Sequence, residues 1–175
     1  DVTLLAGSPL HIPLIGTDAD GNALTFNASV EGDADITTFI PEGNRSARIT
    51  VSGDDPAFTG GEMVFQPFEG RAVRPTERII ELAEDGFYDG IIFHRVIDCF
   101  IIQGGDPEGT GSGGSTLGDF DDQFHPDLQH NRSGVLSMAK SNDDTGDSQL
   151  FITEGPTRNL DSNHSILGQL ITGEE

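Results

Sequence analysis

The chain has 175 residues, and its 9 Lys and Arg against 30 Asp and Glu give a formal net charge of −21. That sign argues against a nucleic-acid partner, because phosphate binding needs clustered Lys and Arg. With 34% hydrophobic residues, 23 Gly, 9 Pro, 11 Phe and no Trp, the composition suits one or two small turn-rich domains better than a helical bundle or a disordered tail.

A single cysteine, Cys99, excludes an internal disulfide framework and a multi-cysteine zinc site. No apolar run approaches the roughly 18 to 20 residues of a membrane helix, so no membrane-spanning segment is expected. The chain opens on Asp1 and reads as processed or cut from a longer one.

In chain order, residues 1–53 read as strand and turn. Apolar residues alternate in 10–14, 24–26 and 47–51, the period of half-buried strands. A free-standing sandwich of the immunoglobulin type needs about 100 residues, so this segment is expected to be part of one. Between the first two strands, Asp18, Asp20 and Asn22 partly match acidic calcium loops, without the bidentate Glu that closes an EF-hand loop. A plain hairpin turn is the other reading. Residues 54–61, rich in Gly, Pro and Asp, read as a linker. A strand is expected over 63–68, followed by a helix over 75–84 with Pro75 near its start, Ile79, Ile80, Leu82 and Ala83 on one face, and Gly86 just past its end.

The run 93–106 reads as a strand with Arg95, Ile97, Cys99, Ile101 and Gln103 on one face. An arginine and a glutamine inside an apolar run need partners or a purpose. Two further strands are expected over 134–139 and 148–153, then a turn over 160–163. Gly109, Gly111 and Gly114 match the spacing of a dinucleotide-binding loop, but no helix pattern follows to hold phosphates, so a surface loop is expected. His125, Asp127 and His130 read as loop residues before a metal cluster.

From Met63 onward the chain resembles the cyclophilin family of peptidyl-prolyl cis/trans isomerases. The resemblance rests on Phe93-His94-Arg95, Gln103-Gly104-Gly105-Asp106, the six residues from Gly134 to Ala139, Ser148-Gln149-Leu150-Phe151-Ile152-Thr153, and Leu160-Asp161 followed by His164 and Gly168, all in family order. It implies, for residues 62–175, an eight-stranded β-barrel, closed or incomplete, with a capping helix; the alternation and the Asp-rich turn before it are read separately as a partial immunoglobulin- or cadherin-like segment. It implies cofactor-free isomerisation of X-Pro bonds in exposed peptides and unfolded clients, hence help in folding. The runner-up is a module of a surface or adhesion protein that binds proline peptides without turnover.

Residue by residue, the resemblance assigns catalysis to Arg95, Gln103, Phe100 and Phe151. It assigns substrate binding to Ile101, Ala139, Lys140, Gln149, Asn159, Leu160 and His164. Four positions depart from the family's usual residues: Ile101 stands for methionine, Lys140 for asparagine, Cys99 for glycine and Asn159 for a tryptophan found in many members. Cys99 is strained if its turn demands positive φ. Family members also continue past the position of Gly168 through a second helix and a last strand that closes the barrel. The acidic, lysine-poor composition and the resemblance of the Asp-rich turn to bacterial repeats suggest an extracytoplasmic or secreted bacterial protein.

Overall fold

The computed structural model describes residues 20, 25, 45–54 and 60–173. The strands expected over 10–14 and 24–26, the immunoglobulin-like reading of residues before 45, and Asp18 and Asn22 lie outside the described residues. Asp20 is an exposed turn residue.

Seven strands are described, all paired antiparallel: β1 (Ala47–Val51), β2 (Gly61–Pro67), β3 (Arg95–Ile97), β4 (Ile101–Gly104), β5 (Val135–Met138), β6 (Leu150–Thr153) and β7 (Ile166–Thr172). Their order is β1-β2-β7-β5-β6-β4-β3. The expectation of eight strands is corrected to an open half-barrel of seven among the described residues, with β1 and β3 as its edges. β1, read from sequence as part of the first segment, pairs along its whole length with β2, from Ala47 opposite Phe65 to Val51 opposite Gly61.

Curling follows from what the inner face buries. Leu136, Met138, Leu150 and Ile152 of the two central strands join Phe65, Ile79, Phe120 and Leu167 in one cluster. Ala47 and Ile49 of β1 and Ile102 of β4 pack against the same cluster, although β1 and β4 would stand roughly 24 Å apart in a flat sheet at about 4.8 Å per strand. The intervening residues Ser137 and Phe151 must therefore face outward, since alternate side chains point to opposite faces. That outward face carries the candidate site.

Helix α1 (Val73–Glu84) starts two residues ahead of the sequence expectation, leaving Pro75 in the first turn, where its missing N–H costs no helical bond. Ile79 and Leu82 are buried, Ile79 within the cluster of sheet residues, whereas Ile80 is half-buried and Ala83, expected on the same face, is exposed. The helix ends as its sequence dictates: Gly86 adopts φ +71, its N–H donates to the Ala83 carbonyl at 3.1 Å, and the Phe87 N–H reaches Leu82 O at 2.9 Å.

The run 93–106 is corrected from one strand to a hairpin. β3 and β4 pair with Arg95 opposite Gln103, Val96 opposite Ile102 and Ile97 opposite Ile101, and residues 98–100 make the turn. Cys99 sits in that turn at φ +57, exposed and away from the common face. The positive φ is the conformation that makes glycine the unstrained choice there.

Candidate active site

Strand pairing alone assembles the centre of the site. Arg95 pairs with Gln103, Gln103 with Phe151, and Phe151 with Ser137, so four residues from β3, β4, β6 and β5 form one row across the outward face. The first two make a side-chain relay with Gln149, the residue preceding β6. Arg95 Nη1 donates to Gln103 Oε1 at 3.0 Å, Gln103 Nε2 to Gln149 Oε1 at 2.9 Å, and Gln149 Nε2 to the Gly113 carbonyl at 2.8 Å. Each glutamine accepts with its oxygen and donates with its nitrogen, which fixes both amides. Arg95 is itself exposed, so its guanidinium is held at one nitrogen and open to a ligand at the rest.

The far end of the relay rests on the glycine-rich loop. The buried Asp106 carboxylate accepts backbone N–H groups from Glu108 at 2.8 Å, Thr110 at 2.8 Å and Gly111 at 2.6 Å. Burial opposes its ionisation, but these N–H groups together with that of Gly113 outweigh burial and hold the carboxyl well below the usual range. Gly113 cannot be replaced freely, because a Cβ there would stand 2.1 Å from Asp106 Oδ1. No helix follows this loop, so the Gly109, Gly111 and Gly114 spacing is a structural loop, as the sequence indicates.

Phe151 forms an apolar floor beside the relay. Only 2% of it is exposed although it faces outward, because two histidines flank it. His164 meets it edge-on at 5.3 Å between ring centroids, and His130 stacks at 5.9 Å with 16° between planes. His164 Nδ1 stands 2.9 Å from the Met138 carbonyl, which can only accept, so Nδ1 carries a proton. Burial lowers the His164 pKa, the Lys140 charge adds to that, and the Met138 carbonyl opposes it.

The remaining candidates ring this centre. Ile101 is buried and shares the outward face with Gln103. Phe100, half-buried in the hairpin turn, accepts the Glu154 N–H at 2.9 Å, and the Ala139 N–H reaches Gln149 O at 2.9 Å. Leu160 ends a single 3-10 turn (Arg158–Leu160), half-buried, and its carbonyl accepts the His164 N–H at 3.1 Å; Asn159 in the same turn is exposed. Lys140 is turned inward: its side chain is 4% exposed, and its Nζ pairs with Asp122 and, at 3.2 Å, with Asp143. Its charge is thereby committed to the protein's own carboxylates.

Sequence reasoning gave no role to three residues inside the motifs it quoted or beside them, His130, Ser137 and Asp161, which are hydrogen-bonded to one another. The signal was there in part, since Ser137 and Asp161 are polar residues within two of the family motifs. His125 Nδ1 and Asp127 Oδ2 lie 3.9 Å apart, and among the described residues they do not join His130 in a three-ligand group. Among the described residues, the group able to offer three ligand atoms within 4.8 Å of one another is Asp98, Cys99 and Glu154, all exposed. A cavity of about 430 Å³ between α1 and residues 119–121 is lined by Arg74, Glu77, Arg78, Glu81, Asp119 and Asp121 with the single aromatic Phe120. Six of its seven lining residues are charged, unlike the surroundings of Phe151.

A sequence model described as cyclophilin type peptidyl-prolyl cis-trans isomerase matches residues 49–175. Peptidyl-prolyl cis-trans isomerase ppi1 of Schizosaccharomyces pombe is 47% identical over 115 residues, covering 65% of this chain and 74% of that protein. The human peptidyl-prolyl cis-trans isomerase-like 1 is 43% identical over 115 residues, covering 65% of this chain and 69% of that protein. A crystal structure of a Cryptosporidium parvum cyclophilin type isomerase in the presence of the dipeptide Ala-Pro superposes with a TM-score of 0.63 at 39% identity, covering 65% of this chain and 74% of that one. These relatives are eukaryotic, as are those from mouse and Arabidopsis thaliana, which corrects the expectation of a bacterial, extracytoplasmic protein. No helix among the described residues is long and apolar enough to cross a membrane. With its row of Arg95, Gln103 and Phe151 on a curled antiparallel sheet and these matches over most of the described residues, the chain belongs to the cyclophilin-type peptidyl-prolyl cis-trans isomerase family.

Proposed function

We propose that this chain accelerates cis/trans isomerisation of X-Pro bonds in exposed peptides and unfolded proteins. The observation that carries the reading is the Arg95–Gln103–Gln149 relay beside the Phe151 floor. Rotation about a prolyl amide crosses a barrier of roughly 18 to 20 kcal/mol because resonance is lost at the twisted state. The amide nitrogen then becomes pyramidal and basic, and a donor fixed in advance stabilises it without reorganisation. Arg95 is that donor, Gln103 holds it, and Phe151 with Phe100, Ile101, Leu160 and His164 seats the proline ring. Ala139, Gln149 and Asn159 face the residues before proline. Lys140 acts on this side through Asp122 rather than by direct donation. No bond is broken and no cofactor is required by this chemistry.

The isomerase unit is proposed to include β1, since that strand pairs fully with β2. The partial immunoglobulin- or cadherin-like reading of the preceding segment is supported by its alternating pattern, and calcium at Asp18, Asp20 and Asn22 by their acidic spacing.

A protease-coupled assay on an Ala-Pro peptide tests the activity. The expected result is catalysed isomerisation by the wild type and a loss of about 100-fold or more in Arg95→Ala, the scale of removing one preorganised donor. Full activity in a folded Arg95→Ala variant overturns the mechanism. Peptide binding without turnover by the wild type overturns the enzymatic reading in favour of a binding module.

A further inference from the structure

We propose that His130 is a positioning residue that locks the floor of the proline site to its wall, an inference that rests on the isomerase reading. Three elements meet at this one side chain. Its Nε2 stands 2.8 Å from Ser137 Oγ on β5, its Nδ1 stands 3.1 Å from Asp161 Oδ1, and its ring stacks on Phe151 of β6. Its backbone joins in: the His130 N–H donates to Asp161 Oδ1 at 2.6 Å, and the His130 carbonyl accepts the Thr157 N–H at 2.9 Å. Asp161 in turn accepts from Arg158 Nε at 2.5 Å. The turn that carries Asn159, Leu160 and His164 is thereby tied at both ends to the ring lying against Phe151.

The chain Ser137–His130–Asp161 has the connectivity of an acyl-transfer triad, with Oγ on Nε2 and the carboxylate on Nδ1. Burial rules out that chemistry. Ser137 and His130 are both 0% exposed, so no carbonyl carbon can approach Oγ. What remains is orientation. The Asp161 carboxylate can only accept, so Nδ1 carries the proton and Nε2 accepts from the Ser137 hydroxyl. Burial lowers the pKa of His130 against the opposing pull of Asp161, which keeps the ring neutral in this arrangement. One tautomer and one ring plane satisfy both partners, and that plane is the one that backs Phe151.

Arg95 belongs to a separate relay, so slack in the floor and wall should weaken ground-state and twisted-state binding alike. Such uniform loss raises KM and spares kcat. A merely structural role would lower the folded fraction, which reduces apparent kcat and leaves KM alone. The test compares wild type with His130→Asn, which keeps a donor near Asp161 but stops short of Ser137, with Ser137→Ala as the milder variant. In His130→Gln the amide reaches the Nε2 position. Saturation kinetics on an Ala-Pro peptide should show KM raised about 10-fold in His130→Asn with kcat nearly unchanged, a misplacement effect of ordinary size. Ser137→Ala should move the same way to a smaller extent, and His130→Gln should recover part of the KM. Unchanged KM in both folded variants, or a fall in kcat alone, overturns the proposal. Proton NMR contacts between the Phe151 and His164 rings give a readout independent of turnover. Their loss in His130→Asn supports the proposal, and their retention at wild-type intensity overturns it. If the wild type turns over no proline peptide, the isomerase reading fails and the ring contact alone decides the positioning role.

Discussion

Gln103 and Gln149 lie 46 residues apart in sequence and bond amide to amide at 2.9 Å. Neither group is ionised, yet the bond settles how the exposed Arg95 guanidinium is presented. Gln103 Oε1 is held toward Arg95 because its nitrogen donates to Gln149, whose own nitrogen donates to the Gly113 carbonyl. Replacing Gln103 by Leu keeps the side chain's approximate size and removes the hold on the arginine. We expect kcat/KM to fall about 10-fold to 100-fold with little change in melting temperature, less than for Arg95→Ala, because the donor survives but loses its preorganised place. Proline-peptide kinetics and a thermal melt on the same sample check this.

Cys99 offers a stabilising change. It is exposed and holds φ +57, a conformation that costs a side-chain-bearing residue of the order of 1 kcal/mol and glycine nearly nothing. Cys99→Gly should raise the melting temperature by about 2 to 4 °C, the shift expected per kcal/mol for a chain of this size. Differential scanning calorimetry of the two proteins measures it, and a lower melting temperature would mean that the Cys99 side chain contributes more than its backbone costs.

Asp106 links the loop to pH. Because its folded pKa lies below its unfolded value near 4, it contributes stability that is present above about pH 4 and is lost as pH falls through the acid range. Asp106→Asn should cost roughly 1.5 to 3 kcal/mol at neutral pH, since hydrogen bonds to a charged acceptor are lost and an amide N–H then faces donors. The same substitution should flatten the acid limb of the stability curve. Urea denaturation at pH 7 and pH 3 separates the two effects.

Lys140 is the chain's only lysine, and its side chain and that of Asp122 are 4% and 8% exposed. Asp122 also accepts the Asp144 N–H at 3.2 Å, while the Asp122 N–H donates to Asp144 Oδ1 at 2.9 Å, so the pair pins two loops together. Lys140→Met should destabilise by about 3 to 5 kcal/mol, because it leaves a buried carboxylate without its counter-charge. Adding Asp122→Asn should restore much of that loss. Thermal melts of the single and double variants give the coupling energy, and additive effects would show that the two charges do not stabilise one another.

Elements whose signals are short-range were legible in the residues alone. Alternation marked β1, short apolar runs marked β2, β5 and β6, and the Pro75-to-Gly86 interval marked α1, whose end closes through Gly86 as its residue type requires. The order of motifs identified the family, and with it Arg95, Gln103 and Phe151, three of the four residues that β3 to β6 bring into one row; Ser137 of β5 was not among them. Tertiary structure decided what depends on pairing. Alternation cannot reveal where a run folds back, so 93–106 read as one strand until the turn at Cys99 set Arg95 opposite Gln103. The partner of β1 lay across a Gly- and Pro-rich stretch that looked like a boundary, because strand pairing is satisfied by backbone groups that every sequence carries. Lys140 differs for another reason. Its residue type predicts a donor, but only the fold places Asp122 beside it and so decides that its charge is spent within the protein.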